Sequence, residues 1–158
     1  MAGAVTGPWS PATFTSTYSG GGLNHGLVAQ TALPSGNAAF FRVVQRPFVK
    51  LQVLMPGETA APNTPTGKTG TPDPQTVGTA FNVTVNAVDA SWNVVGSTDE
   101  IAITSSDASA TLPANNTLYN GSRTFSVTFN TAGTFTVTAT DVTDATKTAN
   151  TGSPTTAQ

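Results

Sequence analysis

Across 158 residues the chain carries only 9% Asp, Glu, Lys and Arg, against about 25% in an ordinary globular domain, and its formal net charge is −2. Its six Lys and Arg are spread thinly with no aromatics between them, which leaves no footprint for nucleic acid or for polybasic attachment to a membrane surface. Without Cys there is neither a disulfide framework nor a thiolate metal site, and no run approaches the ~18 apolar residues of a spanning helix, so membrane insertion is not predicted.

Hydrophobic residues make up 37% of the chain, enough for a sandwich core. Thr is abundant, with Ala, Val, Asn, Ser, Gly and Pro behind it. Thr and Val favour strands because a branched Cβ packs well on a pleated surface, while Gly and Pro interrupt helices. An all-β fold is predicted. Met1 to Ala12 lack the charged and apolar regions of a signal peptide. The Thr- and Asn-rich, Lys-poor composition nevertheless fits an exported bacterial protein, extracellular or at the cell surface. On that reading the chain is a fragment, or leaves by another signal.

Residues 1–47 read as an N-terminal β-hairpin unit. Thr13 to Tyr18 and Leu23 to Ala32 alternate, and Ala38 to Val44 is a strongly β run. Alone, this unit would be marginal, so it is expected to pack on something else, as the remnant of a preceding domain or as an assembly arm. Residues 48–150 read as a sandwich. Val49, Leu51, Val53 and Met55 are spaced by two, and a Thr-, Pro- and Gly-rich connector from Gly57 to Gly78 is expected to run extended and solvated. Phe81, Val83, Val85 and Ala87 alternate with polar residues, as do Ile101 and Ile103, then Phe125, Val127 and Phe129, then Phe135, Val137 and Ala139. Turns are predicted at Asp89–Asn93 and Asn130–Gly133. Residues 151–158 form a polar tail with no large apolar side chain, which predicts an open last edge.

Several stretches carry a resemblance. Ala80-Phe81-Asn82-Val83-Thr84-Val85-Asn86-Ala87-Val88-Asp89, Ile103-Thr104-Ser105-Ser106-Asp107, Ala110-Thr111-Leu112-Pro113-Ala114 and Thr131-Ala132-Gly133-Thr134-Phe135-Thr136-Val137-Thr138-Ala139-Thr140-Asp141 resemble the bacterial immunoglobulin-like (Big-type) repeat module of large exported proteins. Lys50 to Thr59 looks like the opening strand of such a repeat. The resemblance covers about residues 49–150 and implies an antiparallel immunoglobulin-like β-sandwich. The Thr131–Phe135 stretch matches the corner before strand F of that fold.

Candidate chemistry is sparse. His25 is the sole His and has no nucleophile motif nearby, so no catalytic triad is expected, and eight acids without an obvious cleft do not suggest glycoside hydrolysis. The chain is not expected to be an enzyme. In an immunoglobulin-like order the B–C and F–G loops share one tip. That order would gather Asp89, Asp99, Glu100, Asp141 and Asp144, hard oxygen donors suited to calcium, although Asp also simply favours turns. Trp92 with Asn93 could form an aromatic sugar-binding spot, or Trp92 could cap the core under its loop. An open edge could accept a strand from another copy. The expected function is therefore structural: a spacer, stalk or self-assembling surface unit whose partners are neighbouring modules or copies of itself. The alternatives are an adhesive module binding a glycan or surface protein around Trp92, and a phage structural or decoration protein.

Overall fold

The computed structural model describes residues 46–158. The hairpin unit expected over residues 1–47, with His25, lies outside the described residues except for Arg46 and Pro47. The described chain forms eleven strands and no helix: β1 (Lys50–Leu54), β2 (Glu58–Ala60), β3 (Lys68–Gly70), β4 (Ala80–Val88), β5 (Glu100–Ser105), β6 (Asn116–Thr117), β7 (Ser122–Thr128), β8 (Gly133–Phe135), β9 (Val137–Asp141), β10 (Asn150–Thr151) and β11 (Thr155–Ala157). One sheet runs β1-β4-β7 and the other β10-β9-β5-β6, with two-stranded ladders β2-β3 and β11-β8. All of these strand pairs are antiparallel, giving the predicted all-β, sandwich-like architecture.

Period-two patterning sets the core. On β4, Phe81, Val83, Val85 and Ala87 all turn inward. They pack in one cluster with Phe125 and Val127 of β7, Ile101 and Ile103 of β5, and Val137 and Ala139 of β9. Each fully buried side chain of this size stabilises the fold by about 1.5–3 kcal/mol. Phe129 continues the layer, its ring centroid 4.9 Å from that of Phe81 and 5.4 Å from that of Phe135, in tilted pairs.

β1 departs from simple alternation. Leu51 and Val53 face the core, yet Gln52 and Leu54 on the opposite face are buried too. The cover of Gln52 is the connector. Residues 57–78 were expected to be extended and solvated; instead β2 and β3 fold back as a hairpin, and the turn between them carries Gly67 over Gln52. Gln52 donates to Gly67 O at 2.7 Å and accepts from Asn86 Nδ2 at 2.9 Å, while Ser122 Oγ donates to Asn86 Oδ1 at 2.7 Å. The three residues are register partners across β1, β4 and β7, so one buried polar ladder crosses the outer face of the sheet. A partly buried ion pair pins the hairpin base. Glu58 meets Lys68 at 2.9 Å and accepts from Met55 N and Ser153 Oγ.

The tail also differs from expectation. Residues 150–158 supply β10 and β11, and Ala157 joins the core. Small residues are required here because the tail runs against β1: a Cβ placed on Gly152 would lie 3.0 Å from Val53 Cγ1 and 3.2 Å from Met55 Cγ. The edge expected to be open is paired to β8.

Replacing Val85, fully buried, by Asp would place an unpaired charge in the core and should abolish the cooperative melt followed by circular dichroism. Asn86→Ala should lower stability by about 1–3 kcal/mol in urea titration, because the buried Gln52 carbonyl and Ser122 hydroxyl both lose their partner.

Candidate functional site

The Asp89–Asn93 turn and the ends of β5 and β9 carry the residues singled out from the sequence. Asp89 shapes its own turn. Its Oδ1 accepts from Ser91 N at 2.8 Å and Asn93 N at 2.9 Å, and both carboxylate oxygens accept from Asn93 Nδ2. Trp92 N donates to Asp89 O, and Trp92 itself is left-handed at φ 67°. A turn closed by such a residue is a common three-residue hairpin, but the left-handed place usually goes to Gly or Asn. Trp is held there by packing. A Cβ on Gly67 would overlap the indole, and the Lys50 ammonium stands 3.4 Å from the ring centroid. Asn63 N donates to Ser91 O, which ties the β2–β3 turn to this one. Trp92 is thus engaged within the chain, and Asn93 is committed to Asp89.

Burial raises the Asp89 carboxyl. The backbone and side-chain bonds from Asn93, the Ser91 N–H and the Arg46 guanidinium at 3.7 Å outweigh that effect and leave it below its ordinary value.

The acids do not all converge. Among the described residues, no three His, Asp or Glu side chains assemble into a group able to hold a metal. Asp99 and Asp141 do meet where β5 begins and β9 ends. Asp141 is 2% exposed; its Oδ1 accepts from Thr143 N and Asp144 N, each at 2.9 Å, while its Oδ2 is buried with no hydrogen-bond partner. Burial raises the Asp141 carboxyl above its ordinary value, against its backbone bonds, and the Asp99 carboxyl raises it further. Asp144 turns away. Bonds from the Thr146 hydroxyl and the Lys147 ammonium at 3.0 Å lower it to about 2. Glu100 is exposed, its N–H donating to Thr143 Oγ1 and its carbonyl accepting from Val142 N.

Two carboxylates that composition did not single out organise the rest. Glu58 holds the hairpin base. Asp107, at the opposite end of β5, accepts from the Thr131 hydroxyl and from Ser109 N, Asn130 N and Thr131 N. The Thr131 hydroxyl is the main cause of its lowered pKa; burial opposes it, and the three N–H groups add to it. The one signal for Asp107 was its place at the end of a strand, where Asp is common for several reasons.

These shifts give stability a two-sided pH dependence. The raised Asp141 contributes stability that is full below its unfolded value of 3.8 and is lost as pH rises through the folded value. The lowered Asp89, Asp107 and Asp144 contribute stability present above 3.8 and lost as pH falls through their folded values. Melting temperature, followed in EDTA from neutral pH downward, should first rise and then fall below about 3.8. Asp141→Asn should remove the rise and keep the fall; a rise that survives this substitution would assign it to another group.

The sequence matches no protein-family model and no curated protein.

Proposed function

We propose that the chain is a structural, non-catalytic module of an exported bacterial protein, a spacer or stalk unit that carries load from one pole to the other. The resemblance of Ala80–Asp89 and Thr131–Asp141 to immunoglobulin-like repeats supports this reading. The observation that carries it is the way the first and last described strands are paired.

β1 starts beside the C-terminal end of β4, where Val49 N donates to Val88 O. The last strand ends near the N-terminal end of β4, where Val77 N donates to Gln158 O and Gly78 N to Phe129 O. The nine residues of β4 span about 27–30 Å between these poles. Between the poles the C-terminal segment runs parallel first to β1 and then to the chain at Gln75. Leu51 N donates to Thr148 O at 2.9 Å and Thr148 N to Val49 O at 3.1 Å, in a parallel bridge between Lys50 and Thr148. Further along, Gln75 and Ala157 form a second parallel bridge, with Gln75 N bound to Thr156 O and Gln158 N to Gln75 O. Tension applied through the flanking chain would draw these parallel segments in opposite directions. Their hydrogen bonds would then be loaded together in shear, where an unzipped pair breaks one bond at a time.

Single-molecule stretching of the full chain held at its two ends tests this. The parent should unfold in one high-force step. Thr148→Pro deletes one N–H of the clamp and should cost about 1 kcal/mol at equilibrium, yet lower the unfolding force distinctly. Equal forces for parent and variant would overturn the load-bearing reading.

A further inference from the structure

We propose that Asp99 and Asp141 form a divalent-cation site, suited to calcium, at the pole where β5 begins and β9 ends. This goes beyond the load-bearing role and does not depend on it.

The argument starts from Asp141 Oδ2. A carboxylate oxygen can accept about two hydrogen bonds, and a buried polar atom left without any costs about 1–3 kcal/mol. Here the residue is 2% exposed, and Oδ2 has no hydrogen-bond partner among the described residues. Its sister oxygen accepts two backbone N–H groups, from Thr143 and Asp144, which favours the charged form. The neighbour supplied by the fold is another acid: Asp99 stands two residues before Ile101, the register partner of Asp141 on β5, and its carboxyl acts on that of Asp141. Among the described residues no cationic side chain forms an ion pair with either acid: Lys50 donates to Ala90 O and Arg123 to Thr117 O. Lys147 is engaged by Asp144, and the ion pairs of Arg46 and Lys68 are with Asp89 and Glu58. Two carboxylates, one of them desolvated, therefore face each other with no counter-charge among the described side chains.

A hard cation answers that need. Calcium takes 6–8 oxygen ligands in irregular geometry, whereas magnesium requires a near-ideal octahedron and gives up its water reluctantly. Asp99 is only half-buried, and Val142 and Thr143 are exposed, so water can complete the shell from the solvent side. Glu100 stands next in the chain and is exposed, and its backbone is fixed to Val142 and Thr143. With two carboxylates as the anionic ligands, affinity should fall in the weak ~10⁻⁴–10⁻³ M range. Binding would join the start of β5 to the loop after β9.

The test is calorimetric titration of the full chain with calcium chloride near neutral pH, paired with melting in calcium, in magnesium, in EDTA and in sodium chloride of matched ionic strength. The expected result is saturable heat and a melting temperature raised by a few degrees in calcium above that in sodium or magnesium. Asp99→Asn should fold normally and lose both effects, while Asp144→Asn, whose carboxylate is turned to Thr146 and Lys147, should keep them. Three outcomes would overturn the proposal. In the first, there is no heat and the melting temperatures in calcium and EDTA are equal, so the pair holds a shared proton. In the second, magnesium or sodium gives an equal rise, so the effect is ionic screening. In the third, Asp99→Asn still responds to calcium, so the ion binds elsewhere.

Discussion

Everything in the described fold depends on β1 having backbone partners on both sides. It pairs antiparallel with β4 along all five of its residues and bonds to the 148–150 segment on its other edge. Terminal strands usually leave an unpaired edge, and proteins must protect such edges. Here the protection is mutual, because the first and last segments of the described chain close each other. Leu51 and Val53 thereby reach the core from a strand that touches both sheets, and Val53 N finds its acceptor in the Asn150 side chain at 2.8 Å. The small residues of the tail follow from the same constraint, since bulk at Gly152 would push the tail off β1.

The second constraint is electrostatic. A chain with few charges can bury them only where several hydrogen bonds converge on each. Asp89 and Asp107 each gather backbone N–H groups from a loop, and Glu58 gathers the Met55 N–H, the Lys68 ammonium and the Ser153 hydroxyl; each holds its loop in shape. In effect these carboxylates are turn-makers that also join distant segments: Glu58 reaches Ser153, and Asp107 reaches Asn130 and Thr131. Asp141 follows the pattern through Oδ1 and breaks it through Oδ2. That break sets it apart from acids whose role is local shape.

Alternation made the core strands legible, because β5, β7, β9 and the first half of β4 each have one face inside and one more open. The turns at Asp89 and Asn130 were legible from their residue types. The connector and the tail were not, for two different physical reasons. The Gly57–Gly78 stretch looks solvated because its composition is that of a linker. Its order comes from contacts that no local pattern encodes: Gln52 reaching Gly67, Lys68 reaching Glu58, and the indole of Trp92 lying on Gly67. The tail looks weak because apolar bulk was taken as the mark of a core strand, and close approach demands the opposite. Gln52 and Asn86 were misleading in the same way. Polar residues on a strand signal a solvated face, yet here the face is roofed and the two amides satisfy each other. At the candidate site, residue type brought Asp99 and Asp141 to notice. Their separation from Asp89, Glu100 and Asp144 depends on which way each side chain turns, and sequence spacing does not carry that.

The mechanical and cation-binding proposals occupy separable parts of the molecule. On the proposed reading, tension arriving at Val49 would pass through Leu51 to Thr148 and onward to the 155–158 segment, which would leave the loop from Val142 to Lys147 upstream of the clamp on its slack side. That loop comes under tension only after the Lys50–Thr148 bridge has sheared. A cation held by Asp99 and Asp141 would therefore order the pole and raise equilibrium stability without setting the force of the first rupture. Clamp strength belongs to backbone bonds that charge does not tune, whereas the order of the loops at the pole belongs to two acids whose balance the surrounding ions would control. A load-bearing unit built this way would keep its strength across ionic conditions while the geometry of its pole responded to them.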